Sequence, residues 1–165
     1  KALYSFNIKN MPDADRVEEP PLSYTQGTFA EAARVLFHIT GEQSYMDKAA
    51  QVLLYGLESN RTTSGGLLRS EGENMDQSIF KAVFIPYAVN YVLDADADVN
   101  SAGRIKEKLL KNAEALYKHI DRTYYPSMFC NYWWGEAVPQ GIRVSMGAQA
   151  SGASLMENVA RMVKK

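Results

Sequence analysis

Cleaving a glycosidic bond takes two carboxylates held a few ångströms apart, one protonated and one ionised. The candidates in this chain are Glu18-Glu19 and the group Glu71, Glu73 and Asp76. Glu18-Glu19 stands directly before Pro20-Pro21, where an irregular arm leaves both acids solvated. Glu71, Glu73 and Asp76 share a glycine-bearing loop at the start of a helix, and they form the most interesting cluster in the chain. Helix capping and solvated loop charge remain the simpler account of them.

Other chemistries find less support. Cys130 is the only cysteine, so an internal disulfide is excluded, and with His38 and His119 scattered it builds no zinc site. Both histidines fall within helices without an apparent partner. Ser145 and Ser151 stand in no nucleophile elbow, and Cys130 has no neighbouring histidine. Gly65-Gly66 lacks the Lys-Ser/Thr of a phosphate loop. Asp94-Ala95-Asp96-Ala97-Asp98 resembles the start of a calcium loop, but its sixth position is Val99 and its twelfth Ile105, so the sharp turn and the bidentate ligand are both missing. An acidic linker ahead of a helix N-terminus explains it better. Asn60-Arg61-Thr62 fits a glycosylation sequon, which matters only in a eukaryotic secretory setting. No metal, no cofactor and no catalytic residue is assigned.

The elements that must position these residues sit in a chain of 165 residues, 46% hydrophobic and 22% charged, with 18 Lys+Arg against 19 Asp+Glu. That composition suits one globular domain, or a piece of a larger one, with no basic excess to recruit nucleic acid. No apolar run is long enough for a membrane span. Ten tyrosines and two tryptophans are compatible with a sugar-stacking cleft, although amphipathic core edge is the commoner use of such residues.

Residues 1–22 read as an irregular N-terminal arm, and 23–165 as one all-α unit of antiparallel helical hairpins. Phe29, Ala33, Leu36 and Phe37 form an apolar stripe from Gly27, with Gly41 placed as a C-terminal cap. Ser44 and Asp47 suggest the start of a second helix, carried by Met46, Ala49, Ala50, Leu53 and Leu57 to Glu58. After a long loop over 59–75, Asp76 is placed to cap a third helix reaching Leu93. Its inward residues are Ile79, Phe80, Val83, Ala88 and Tyr91, and Pro86 should kink or split it. A fourth helix spans about Ser101 to His119 through Ile105, Leu109, Ala113, Leu116 and, just beyond, Ile120. The aromatic, turn-rich stretch Tyr124 to Gly141 separates it from a fifth, from near Ser145 to Val163, through Ala148, Leu155, Val159 and Met162. No convincing strand pattern is present.

In this order the segments resemble glycoside hydrolase family 76, the endo-α-1,6-mannanases of bacteria and fungi. Ser23-Tyr24-Thr25-Gln26-Gly27 is similar to the family's TYNQG segment, and the stretch from Ile39 to Ala49 to its Thr-Gly turn between paired helices. Asp76-Gln77-Ser78-Ile79-Phe80-Lys81-Ala82-Val83-Phe84 is similar to its Asp-Gln…Phe-Lys segment. Trp133-Trp134-Gly135 and Gln149-Ala150-Ser151 match its tryptophan-glycine loop and closing helix. The resemblance implies an (α/α)6 toroid whose loops line a glycan cleft, and retaining cleavage of α-1,6-mannan by two adjacent aspartates. This sequence contains no Asp-Asp pair; Thr25, Ala82 and Pro86 are further departures from the family pattern.

Twelve helices of about 25–30 residues with their loops need roughly 300–360 residues, so the chain is expected to be the C-terminal half of a partial (α/α)6 toroid. It would supply cleft walls to a glycoside hydrolase-like parent acting on α-1,6-mannan or a related glycan. By the same resemblance, Tyr24, Gln26, Asp76, Gln77, Trp133 and Trp134 are the expected substrate contacts. The expected partners are the glycan and either the missing N-terminal half or a second copy of the chain, and the expected location is secreted, periplasmic or cell-surface. A non-catalytic helical module binding glycan or protein is the alternative.

Overall fold

The structure is a computed structural model that describes residues 21–164. Glu18-Glu19 and nearly all of the expected N-terminal arm lie outside those residues. Five helices follow in order: α1 (Ser23–Thr40), α2 (Gln43–Glu58), α3 (Met75–Leu93), α4 (Val99–His119) and α5 (Met146–Val163). The chain is all-α, built from antiparallel helical hairpins.

The helix ends follow from local chemistry. Gly41, at φ +74°, closes α1 with its N–H on the Phe37 carbonyl at 2.7 Å, a left-handed position that costs glycine nothing. Ser145 Oγ caps α5 by accepting from Ala148 N at 3.2 Å, and Asp98 caps α4 by accepting from Ser101 N at 2.8 Å. Two expected caps are corrected. α2 begins at Gln43 behind Glu42, ahead of Ser44, and Asp47 instead accepts from Gln43 Nε2 at 3.1 Å. In α3 the cap is Asn74, whose Oδ1 accepts from Gln77 N at 2.8 Å, and Asp76 lies in the first turn.

Long-range bonds fix the packing. Ser23 at the start of α1 reaches Glu71 just ahead of α3, while Glu31 and Arg34 reach Asn90 and Asp94 at the far end of α3. Ser151 and Ser154 of α5 likewise meet the Ser78 and Ala82 carbonyls, and Arg161 meets Asn90. α1, α3 and α5 are therefore parallel and side by side, with α3 in the middle, and α2 and α4 form a second layer. The result is an arc of a toroid.

Small residues let the layers approach. A Cβ added to Gly27 would stand 2.8 Å from the Phe84 backbone, and one on Gly56 would stand 2.9 Å from the Phe84 ring. Phe84 fills the space these glycines leave and is fully buried, worth about 1.5–3 kcal/mol as a buried side chain.

The stripes of α4 and α5 lie inward as expected, with Ile120 half-buried at the end of α4. Those of α1 and α3 need correction. Leu36 is exposed on α1. On α3, Ala88 and Tyr91 are buried as expected, but Ile79 is exposed and Phe80 and Val83 are only half-buried, while Phe84, Ile85 and Val89 are buried as well. α3 touches helices on several sides, so no single stripe describes its buried surface. It also runs unbroken through Pro86.

A minimal hairpin, β1 (Thr63–Ser64) with β2 (Leu67–Leu68), interrupts the loop after α2. Gly65 and Gly66, both at positive φ, form the two-residue turn such a hairpin requires. No described helix is long and apolar enough to cross a membrane.

Candidate functional site

Because α1, α3 and α5 are parallel, their N-termini open at one end of the arc. The two long loops, between α2 and α3 and between α4 and α5, arrive at that same end.

α1 has no capping side chain of its own. Glu71 supplies one from the α2–α3 loop: its carboxylate accepts from Ser23 N at 2.6 Å and from Ser23 Oγ. A negative group at a helix N-terminus satisfies an otherwise orphaned N–H and complements the dipole. Burial pushes the Glu71 carboxyl above its ordinary value, while the Ser23 bonds and the charges of Lys81 and Arg69 pull it back only in part. Glu71 is thus a helix cap and not a solvated loop charge.

Lys81 is a buried cation on α3. Its Nζ donates to the Tyr132 carbonyl at 2.6 Å and lies 3.9 Å from the centre of a Trp134 ring. Burial lowers its pKa to about 8, against the opposing charge of Glu71. The aliphatic stem and the cation together tie α3 to the loop before α5.

Further bonds hold that loop. Gln149 of α5 brackets Cys130, accepting from its N–H and donating to its carbonyl, each at 3.0 Å. His119 Nδ1 lies 3.1 Å from the Trp134 carbonyl. Ser145 Oγ meets Ser78 Oγ at 2.8 Å, and Tyr132 Oη accepts from Ser145 N at 3.0 Å. Cys130 is buried, and burial pushes its thiol up, so it is no ready nucleophile.

The expected contact residues divide by accessibility. Tyr24 is half-buried at the mouth of α1, its ring 4.4 Å from that of Phe80. Burial, then the Glu71 charge, raise its phenol pKa. Asp76 is exposed, and Gln77 and Trp133 are half-buried. Gln26 is 0% exposed and Trp134 is 1% exposed. As the chain stands, neither can offer an amide or a stacking face at the surface; Trp134 stacks on Lys81 instead. Capping was among the accounts the sequence offered for Glu71, but not that it would cap α1 from the α2–α3 loop; Lys81 and Gln149 entered only as members of family-like segments, and Tyr132 not at all. The one available signal was a lysine inside the apolar run from Ile79 to Ile85.

The histidines also have partners. His38 Nε2 and Arg34 Nη1 both reach Asp94 Oδ2, at 2.7 and 2.6 Å. His38, Asp94 and Asp96 converge within 4.8 Å, close enough to hold a metal ion, but Arg34 already brings a positive charge to the shared oxygen. Burial would raise the Asp94 carboxyl; the His38 and Arg34 bonds outweigh it and hold it low.

Parallel inner helices, a second helical layer behind them and long loops gathered at the inner mouths define a partial (α/α)6 toroid. The sequence profile of Glycosyl hydrolase family 76 matches residues 5–165, and the chain belongs to that family. It is similar to the α-1,6-mannanase of Salegentibacter sp. HEL1_6 at 29% identity, with a TM-score of 0.77, over 86% of this chain and 40% of that one. An inactive variant of that enzyme, with two consecutive aspartates replaced and α-1,6-mannotetrose bound, matches at 30% identity and a TM-score of 0.76 over the same shares. The Lin0763 protein of Listeria innocua shares the fold at 22% identity, with a TM-score of 0.74, over 91% of this chain and 42% of that one. The chain thus spans about two fifths of the solved structures it matches. None of the curated proteins compared with it matches.

Proposed function

We propose that this chain is a wall of the glycan cleft in a glycoside hydrolase-like toroid acting on α-1,6-mannan or a related glycan. One observation carries the reading: the mouths of three inner helices open side by side at one end, within a chain that a glycosyl hydrolase family matches along nearly its whole length. In this reading Tyr24 offers a phenol and ring face, Asp76 and Gln77 offer acceptors and an amide for sugar hydroxyls, and Trp133 offers an apolar edge. Gln26 and Trp134 act from behind, supporting the surface that touches the sugar. The catalytic aspartates come from elsewhere in the toroid.

α1 and α5 are the end members of the inner row. α1 exposes Val35, Leu36 and Ile39, the last at 74%, and α5 exposes Met156 and Val163. Apolar flanks of this kind are where further helices of a ring would pack, whether from an N-terminal half or from a second copy. Mannan is an extracellular polymer in this reading, so the expected site of action is outside the cell, at its surface or in the periplasm.

Reducing-sugar release from α-1,6-mannan by the full protein that contains this chain tests the proposal. Release is expected; neither release nor binding would overturn it. The absence of an Asp-Asp pair from the sequence favours a second reading, a non-catalytic glycan-binding module. That reading predicts binding of mannan without release.

A further inference from the structure

Beyond the helix mouths, the α4–α5 loop encloses a groove of about 820 Å³, a size that suits a ligand cleft. One wall is the turn from Asp121 to Phe129, pinned at its base by paired backbone bonds between those two residues at 2.8 and 3.0 Å. The other wall is the segment Val138–Val144, which runs directly into the Ser145 cap of α5 and so into the mouth region beside Ser78. One wall of the groove therefore leads, through Ser145, to the end of the arc where Tyr24, Asp76 and Gln77 lie.

Its lining mixes an aromatic face with hydroxyl-binding groups. Tyr124 is 69% exposed and is held edge-to-face against Phe129, with ring centres 6.4 Å apart. A ring fixed from one side and open on the other is a stacking platform for the C–H face of a sugar. Asp121, which lines the groove, commits one carboxylate oxygen to Thr123, through the backbone N–H at 2.8 Å and the hydroxyl at 2.6 Å, and its other oxygen bonds no described residue. Arg143 and Gln140 are exposed on the opposite wall, and neither bonds another described residue. One acid, one guanidinium and one amide around an aromatic ring match vicinal hydroxyls far better than they match a charged or wholly apolar ligand.

We propose that this groove is an outlying sugar subsite that takes the part of a mannose-rich chain extending beyond the helix mouths, with Tyr124 as the stacking residue and Arg143 as a hydroxyl clamp. The inference rests on the cleft-wall reading above and adds to it a determinant of chain-length preference.

The test is calorimetric titration of the full protein containing this chain with α-1,6-mannose oligomers of increasing length, from mannotriose upward. Affinity is expected to rise with length until the groove is filled. Tyr124→Ala and Arg143→Ala are expected to remove that late increment, weakening the longest oligomers by about tenfold and leaving mannotriose unchanged, whereas Tyr124→Phe keeps it. Both positions are exposed, so unchanged melting midpoints are expected. Equal affinity of parent and variants for the longest oligomers would overturn the subsite alone, and so would a loss that is the same at every length. Silence of the parent protein toward every oligomer would overturn the cleft-wall reading together with it.

Discussion

Ser154 Oγ on α5 donates to the Ala82 carbonyl on α3 at 3.1 Å, and Ala82 is the residue whose carbonyl Pro86 cannot serve. A helix carbonyl bonds the N–H four residues on, and proline has none. A hydroxyl from the neighbouring helix replaces the missing donor. That explains how α3 continues through Pro86 as one helix, where the sequence alone allows a split.

The exchange can be measured. Ser154→Ala should lower stability by about 1–2 kcal/mol, since it leaves a carbonyl unpaired within the α3–α5 contact. Pro86→Ala restores a helical N–H to the same carbonyl, so in that background Ser154→Ala should cost markedly less. A double-mutant cycle by urea denaturation gives the coupling; additive effects would contradict the assignment.

Glu71 makes a second prediction. Its carboxylate caps α1 across 48 residues of sequence, so Glu71→Ala should destabilise by about 1–2 kcal/mol. Glu71→Gln keeps one acceptor and should cost less. Thermal melting of both variants checks the order, and the reverse order would show that the carboxylate is not the cap.

Lys81 sets a pH dependence whose sign can be worked out. Its pKa is about 8 in the fold against 10.5 for the unperturbed group. Between those values the unfolded chain holds a proton that the folded chain has released, so this group makes stability rise as pH increases from about 8 to 10.5, and its contribution is least favourable below 8. The rise should be on the order of 1–3 kcal/mol. Comparing urea midpoints at the two ends of that range, Lys81→Met should flatten the parent's slope. An unchanged slope would mean that Lys81 keeps its proton.

Close approach makes a fourth prediction. A Cβ on Gly147 would come within 2.8 Å of the Met75 carbonyl, and backbone cannot yield as a side chain can. Gly147→Ala should push α5 away from α3 and cost about 1–3 kcal/mol in chemical denaturation. A neutral result would show that the two helix starts are not in contact.

What the sequence made legible, and what it did not, follows from how far each signal reaches. Stripes such as Ile105, Leu109, Ala113 and Leu116 mark a helix that buries one face, and that period is local. The middle of the row, α3, buries residues on several sides, so its stripe was misread at Ile79 and Phe84. Capping is local too, but Asn74 and Asp76 both offer an oxygen two residues apart, and only backbone geometry chooses between them. The burial of Glu71 and Lys81 was hidden for a different reason. A charged residue is solvated by default, and what buries these two are partners 48 and 51 residues away. Of the expected contacts, Tyr24, Asp76 and Gln77 gather at the helix mouths with accessible surface. The burial of Gln26 and Trp134 is set by neighbours that no spacing rule reveals.

The most direct measurement is the affinity of the full protein containing this chain for α-1,6-mannotetraose, with and without Tyr24→Ala and Gln77→Ala. If the three helix mouths form a sugar-binding wall, the parent binds and each substitution weakens binding by about tenfold without lowering the melting midpoint. Equal affinity in parent and variants, or no binding by the parent, would contradict the account.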